Sequence, residues 1–273
     1  MTRLQQSIVG LFFIGYGCVG FSWNAVGHRL VAHIAYQYMT PHARQTFDRY
    51  NQAMDVVYKP QSFDEAAVWL DRLGYQGIAW YATLHFVDLP FSLDPTLFLP
   101  PPQTINAISA IEKSKAVLRN KYAKAFDKGL ALRILMHVTG DLHQPLHAVT
   151  KISATYPKGD RGGNLVFLHR NGVASTLHAY WDRGGGLLVN NRHTHPSETL
   201  PLLTGTCLLQ KMDLDPKKWA KESHALAVSK AYGRLPVDQV LTQDYQQIVQ
   251  RITKKRLFLA GCRLAALLNQ LDF

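Results

Sequence analysis

One mainly α-helical domain with a small β-hairpin is the fold class the sequence predicts, on three observations. Apolar residues return at helical spacing in residues 28–38, 107–122, 130–142, 245–252 and 257–271. Prolines and glycines mark two irregular stretches, residues 86–103 and 149–163. No repeat, low-complexity tract or charge block divides the 273 residues, a length that one core can serve.

In chain order, residues 1–22 carry Arg3, an apolar run from Ile8 to about Phe21 and the small residues Gly20 and Ser22. This is the pattern of a secretory signal cut before Trp23, leaving residues 23–273 as one domain. The run is short and glycine-rich for a transmembrane helix, which needs roughly 20 apolar residues. A retained anchor is the other reading; a lipoprotein cut before Cys18 is opposed by Gly15. The expectation is therefore a secreted or periplasmic chain with no transmembrane anchor after cleavage. Helix 28–38 stops at Thr40-Pro41, where Thr40 can cap a second helix that has Pro41 at its first position. Pro90, Pro95, Pro100, Pro101 and Pro102 make residues 86–103 a loop, and a helix starts after it at about Thr104. After helix 130–142, the segment 149–163 is irregular through Pro157, Gly159, Gly162 and Gly163. Residues 164–169 and 173–176, joined across Asn171-Gly172, predict the hairpin.

The chain holds 30 Lys and Arg against 19 Asp and Glu, a net charge of +11. Loss of Arg3 with the leader leaves +10 (29 − 19). Such an excess attracts polyanions such as nucleic acid or anionic lipid; a plain basic surface is the equal alternative. Only Cys207 and Cys262 remain after the cut, as one disulfide or as thiols, with Cys262 in an apolar segment.

Chemistry concentrates in His137-Val-Thr-Gly-Asp141-Leu-His143-Gln-Pro-Leu-His147, then Gly162-Gly163-Asn164, then Leu177-His178-Ala-Tyr-Trp-Asp182. Residues i and i+4 share a helix face, so His137 with Asp141 and His178 with Asp182 each present an imidazole and a carboxylate to one point. A lone helical His is usually core, but three donors within eleven positions exceed packing, and zinc accepts both donor types. His143, two residues from Asp141, points off that face and reads as a supporting or surface histidine. His28, Asp71 in Trp69-Leu-Asp71-Arg and His85 in His85-Phe-Val-Asp88 are isolated donors that spacing alone does not single out.

In these motifs the chain resembles the zinc-dependent single-strand-specific nucleases of fungi and the bifunctional nucleases of plants. These are also 3′-nucleotidases and distant relatives of bacterial zinc-dependent phospholipase C. The resemblance runs from Trp23 to Asp182 and includes the ending Ala260-Gly-Cys-Arg-Leu-Ala-Ala-Leu-Leu-Asn269, so it covers essentially the whole mature chain. It implies the helical fold of that type and three Zn2+ ions. One would be held by Asp71, His85, His137 and Asp141, and a second by His147, His178 and Asp182. The third would be held by His28, Asp141 and the free amine and carbonyl of Trp23. It implies cleavage of single-stranded DNA and RNA to 5′-phosphorylated products, and of 3′-nucleotides to nucleoside and phosphate. Zinc-activated hydroxide would attack phosphorus, with Asp71 as the catalytic residue orienting it. Phe86 would stack on a base and Asp88 would accept hydrogen bonds from its edge. No stable protein partner is implied.

Two positions depart from the family pattern. Gly74 stands where a basic residue is usual, which leaves Arg72 as the nearby candidate for the scissile phosphate. Arg183 stands where an Asn near the base is frequent, and is a candidate phosphate contact. Phospholipase C activity and a non-catalytic exported zinc-binding protein are the rival readings. Asp182, where the phospholipases carry Glu, and the Phe86–Asp88 pair favour the nuclease.

Overall fold

The computed structural model describes residues 23–76, 78, 80–188 and 205–272. The expected leader, residues 1–22, lies outside the described residues.

The domain is built on two long helices and those that pack on them. Helix α1 (Ala25–Tyr38) starts where the Asn24 side chain accepts from Gly27 N at 3.2 Å and buries Val26, Leu30, Val31 and Ile34. Helix α2 (Pro41–Gln52) begins as read from Thr40-Pro41, with Thr40 Oγ1 accepting from Ala43 N at 3.1 Å. Short helices α3 (Phe63–Ala66) and α4 (Trp69–Tyr75) follow. The proline-rich segment ends at a reciprocal Asn106–Ser109 capping box, and α5 (Ala107–Arg119) packs on α6 (Ala125–His143). Helix α7 (Leu177–Asp182) carries the second His–Asp pair, and α8 (Pro216–Leu226) precedes α9 (Gln243–Leu271).

Helix α9 merges the two segments read as separate at residues 245–252 and 257–271. Charged residues at 254–256 interrupt its apolar spacing, but Arg256 is buried because its guanidinium donates to Glu222 Oε2 and Ser223 Oγ, both at 2.8 Å. Helices α1 and α9 approach closely at Gly261, where a Cβ would stand 2.5 Å from Ile34 Cβ. A disulfide joins Cys207 to Cys262 on α9, with Cα atoms 5.3 Å apart.

The only sheet among the described residues was not expected. It is a two-residue parallel pair, β1 (Pro90–Phe91) with β2 (Thr150–Lys151), which ties the two irregular stretches together. The expected hairpin shrinks to one antiparallel bridge, Phe167 with Thr176. The Asn171 side chain takes over its turn, accepting from Val173 N and Ala174 N at 2.9 and 3.0 Å, and His169 N turns away to Gln239 O at 3.2 Å. Two apolar clusters result: a large one around α1, α5, α6 and α9, and a smaller one around Leu146, Leu177, Trp181 and Val249.

Candidate metal centre and adjoining cleft

Helix α6 carries His137 and Asp141 on one face, and the chain folds two more donors onto them. His137 Nδ1 lies 2.7 Å from Ala67 O. That carbonyl can only accept, so the proton sits on Nδ1 and the Nε2 lone pair faces inward. There Nε2 is 3.4 Å from Asp71 Oδ1 of α4 and 3.4 Å from Asp141 Oδ2. His85, in the 3-10 turn Ala82–His85, places Nδ1 3.0 Å from Asp141 Oδ2, 3.1 Å from His137 Nε2 and 3.9 Å from Asp71 Oδ1. A tetrahedral zinc with bonds of about 2.0–2.1 Å separates its ligand atoms by about 3.3–3.4 Å. The five separations bracket that value. Two ring nitrogens this close repel unless a cation or a shared proton lies between them.

His28 completes this group from α1. Its ring stacks on His137 with centroids 3.8 Å apart, and its Nε2 is 3.2 Å from Asp141 Oδ1, the oxygen that faces away from His85. The approach requires Gly140, where a Cβ would sit 2.9 Å from His28 Nδ1. Burial would raise the Asp141 carboxyl, yet His137, His28 and His85 outweigh it and hold the group well below the usual carboxylate range. Asp71 is lowered in the same way, burial being outweighed chiefly by His137. Burial would lower His137, but Asp141 and Asp71 push it up to about 9. His28 falls through burial and the neighbouring His137, against the pull of Asp141.

A second group forms beyond the end of α6. His147, in the 3-10 turn Pro145–Ala148, has Nδ1 2.7 Å from His85 O, and His178 of α7 has Nδ1 2.8 Å from Gly162 O. Both protons are thereby fixed on Nδ1, and the two Nε2 atoms face each other at 3.1 Å. Asp182 lies 3.8 Å from His147 Nε2 and 3.7 Å from His178 Nε2, and accepts from Gln144 Nε2 at 2.7 Å. Burial raises the Asp182 carboxyl well above its usual range, with the Gln144 hydrogen bond opposing. Gly162 is in the left-handed region (φ 59°), and a Cβ there would stand 2.3 Å from Leu146 O. Fully buried Trp23 stands next to this group, since Asn24 N donates to Asp182 O at 3.1 Å. In this chain its nitrogen is still a peptide amide.

Three sets of His and Asp can therefore hold a metal ion: His28, His137 and Asp141; Asp71, His85 and His137; and His147, His178 and Asp182. The donor chemistry and spacing fit zinc.

The second group opens into a cleft of about 410 Å³ whose walls include Phe86, Asp88, Gly162 and Asn164. Burial pushes Asp88 up to about 6, with a Gln103 hydrogen bond opposing and Asp160 adding to the rise. Arg72 and Arg183 do not line this cleft. Arg72 is paired with Glu65, and Arg183 donates to Val173 O. The cations that do line it are Lys158 and Arg161, which residue spacing did not reveal; their signal is position next to the Gly162-Gly163 turn. His143 is neither a donor to these groups nor on the surface. It is fully buried, with Nδ1–H on Thr139 O at 2.7 Å and Nε2 accepting from Arg263 Nη1 at 2.9 Å.

The profile of the family described as S1/P1 nuclease matches residues 23–272. Endonuclease 4 of Arabidopsis thaliana is 26% identical over 91% of this chain and 89% of its own length. Endonuclease 1 of the same plant is 25% identical over 91% and 87%. Nuclease P1 of Penicillium citrinum is 29% identical over 59% of this chain and 57% of its own. A profile match across nearly the whole described domain, on a helical fold that gathers the expected histidines and aspartates, makes this chain a member of the S1/P1 nuclease family and a hydrolase of phosphodiesters.

Proposed function

We propose that the protein is an exported nuclease and 3′-nucleotidase that acts on single-stranded DNA and RNA and holds three zinc ions. The observation that carries this reading is the convergence of three buried sets of His and Asp, of which His147 and His178 line a cleft that also presents Phe86 and Asp88. The first ion is assigned to Asp71, His85, His137 and Asp141, and the second to His147, His178 and Asp182. The third is assigned to His28, Asp141 and the amine and carbonyl of Trp23. A backbone amine binds metal only when free, so removal of residues 1–22 would complete that last set; export and activation then coincide. A disulfide suits an oxidising compartment, and no described helix is long and apolar enough to cross a membrane.

Zinc bound at such donors supplies an acidified water near neutral pH and neutralises charge growing on phosphoryl oxygens. The chain's own residues do the rest. Asp71, held low by His137 and set beside His137 and His85, would accept a hydrogen bond from the attacking water and align it with phosphorus. Phe86 stacks on the base of the nucleotide that leaves through its 3′ oxygen, a contact of about 1–3 kcal/mol that hardly discriminates among bases. Asp88 accepts from the base's amino or imino edge while ionised. A duplex hides both the face and the edge, so single strands are preferred.

The test is hydrolysis by protein beginning at Trp23, before and after chelation and zinc re-addition, on single-stranded DNA, duplex DNA and 3′-AMP. Zinc-restored cleavage of the single strand and release of phosphate from 3′-AMP support the reading. Zinc-loaded protein that cleaves neither, yet hydrolyses phosphatidylcholine, overturns it in favour of a phospholipase; zinc retained without any turnover identifies a binding protein.

A further inference from the structure

The cleft carries two cations besides the residues assigned above to the base and the metal ions. Lys158 and Arg161 line it together with Phe86, Asp88, His147 and His178. Both are exposed, and neither has an ion-pair partner among the described residues. The carboxylate between them in sequence, Asp160, does not neutralise them. It is fully buried and engaged by Lys151 N at 2.9 Å and by the Tyr232 hydroxyl at 2.6 Å. Asp88 is the one carboxylate among the residues lining the cleft.

Arg161 is also held in an unusual backbone conformation. Its φ is 56°, the left-handed region that a non-glycine residue seldom occupies. The Asn164 backbone and side-chain amides donate to its carbonyl at 3.2 and 3.0 Å, and Asp160 N donates to Lys151 O at 3.1 Å, so the bend is fixed on both sides. Strain at a non-glycine position on the wall of a binding cleft points to a role for the side chain kept there.

We propose that Lys158 and Arg161 form a subsite for the 5′-phosphate of the nucleotide whose base occupies the cleft. The inference rests on the base-binding reading of Phe86 and Asp88 above. A nucleotide seated with its base on Phe86 and its 3′-phosphate at the His147 and His178 group has one more anionic substituent, on its 5′ oxygen. Two unpaired cations in the same cleft match that charge, and an arginine fork suits phosphate oxygens. The enzyme would then distinguish a nucleotide inside a chain, or one with a 5′-phosphate, from one ending in a 5′ hydroxyl.

Two measurements on zinc-loaded protein test this, using wild type, Lys158→Ala, Arg161→Asn and the double variant. Asn is chosen because it tolerates the left-handed backbone. In calorimetric titration, wild type should bind 5′-AMP about tenfold or more tighter than adenosine, as expected for charge-assisted contacts, and the double variant should lose that advantage. In kinetics, the ratio of kcat/KM for adenosine 3′,5′-bisphosphate over 3′-AMP should fall towards one in the double variant. A wild type that binds the two ligands equally, or a double variant that keeps the full preference for 5′-AMP, overturns the subsite. Failure to hydrolyse either kinetic substrate sinks the nucleotidase reading alone, because the titration still decides where the 5′-phosphate binds.

Discussion

The two groups of candidate metal ligands are made of the same residue types, yet they store charge differently. The group around His137 and Asp141 has two carboxylates, both held low, and keeps its extra proton on an imidazole pushed up to about 9. The group around His147 and His178 has one carboxylate, Asp182, and burial raises that carboxyl well above its usual range. The difference is one of count and support. A second carboxylate on the first side makes imidazolium favourable against burial, whereas on the second side a lone buried carboxylate is cheaper neutral. The supports differ too. The first group is held by helices α1, α4 and α6 together with the 3-10 turn that carries His85, while the second hangs on a 3-10 turn, the short helix α7 and the Gly162 carbonyl, at the wall of the cleft. A tightly charged inner group suits holding ions and water, and an open outer group suits meeting substrate.

The largest expected effect comes from removing one carboxylate at a time. Asp141→Asn and Asp182→Asn should each abolish cleavage of single-stranded DNA, but in zinc-stripped protein at pH 7 their stabilities should move apart. The low Asp141 contributes stability above its unfolded pKa of about 3.9 that is lost as pH falls through its lower folded value. Its replacement should cost about 3 kcal/mol or more by stranding buried imidazoles. Asp182 has the opposite sign. Its raised folded pKa costs stability as pH rises above about 3.9, so its replacement should leave the melting temperature unchanged or higher. Equal destabilisation by the two variants, seen in denaturant unfolding, would break the contrast.

Next in size are the glycines that admit the rings. Gly140→Ala drives a methyl into His28, and Gly162→Ala drives one into Leu146 O from a left-handed backbone. Each should cost about 1–3 kcal/mol, and metal analysis should show each lowering the zinc content of its own group while sparing the other.

The proton bookkeeping gives a subtler check. Zinc loading should release protons, and because burial raises the Asp182 carboxyl, an indicator dye should register a smaller release for Asp182→Asn than for wild type. Smallest is the effect at Asp88. With its carboxyl at about 6, the proposed base-edge contact should be lost as pH falls through that value. KM for 3′-AMP should then rise about tenfold between pH 7 and pH 5, and Asp88→Asn should flatten the profile.

Much of the architecture was legible in local pattern. The Thr40-Pro41 helix start and the pairing of His137 with Asp141 on one face follow from short-range rules that burial did not alter. Three features were hidden for one common reason, that a distant partner changes what a residue can do. Arg256 reads as a helix breaker in apolar spacing until Glu222 neutralises it in the interior. His143 looks dispensable until Arg263 caps its ring. Asn171-Gly172 promises a hairpin until the Asn171 side chain takes the backbone's hydrogen bonds.

By itself the sequence offered the candidate donors, showed which of them share a helix face, and, through resemblance, pointed to isolated ones to group with them. It could not determine that His85 serves both groups, its ring facing Asp141 and its carbonyl orienting His147, nor that Lys158 and Arg161, and not Arg72 or Arg183, line the cleft. Helical periodicity is set by the bonds of one turn. Donor separations of 3–4 Å, tautomers and carboxyl pKa values depend on segments tens of residues apart, and only packing brings those together.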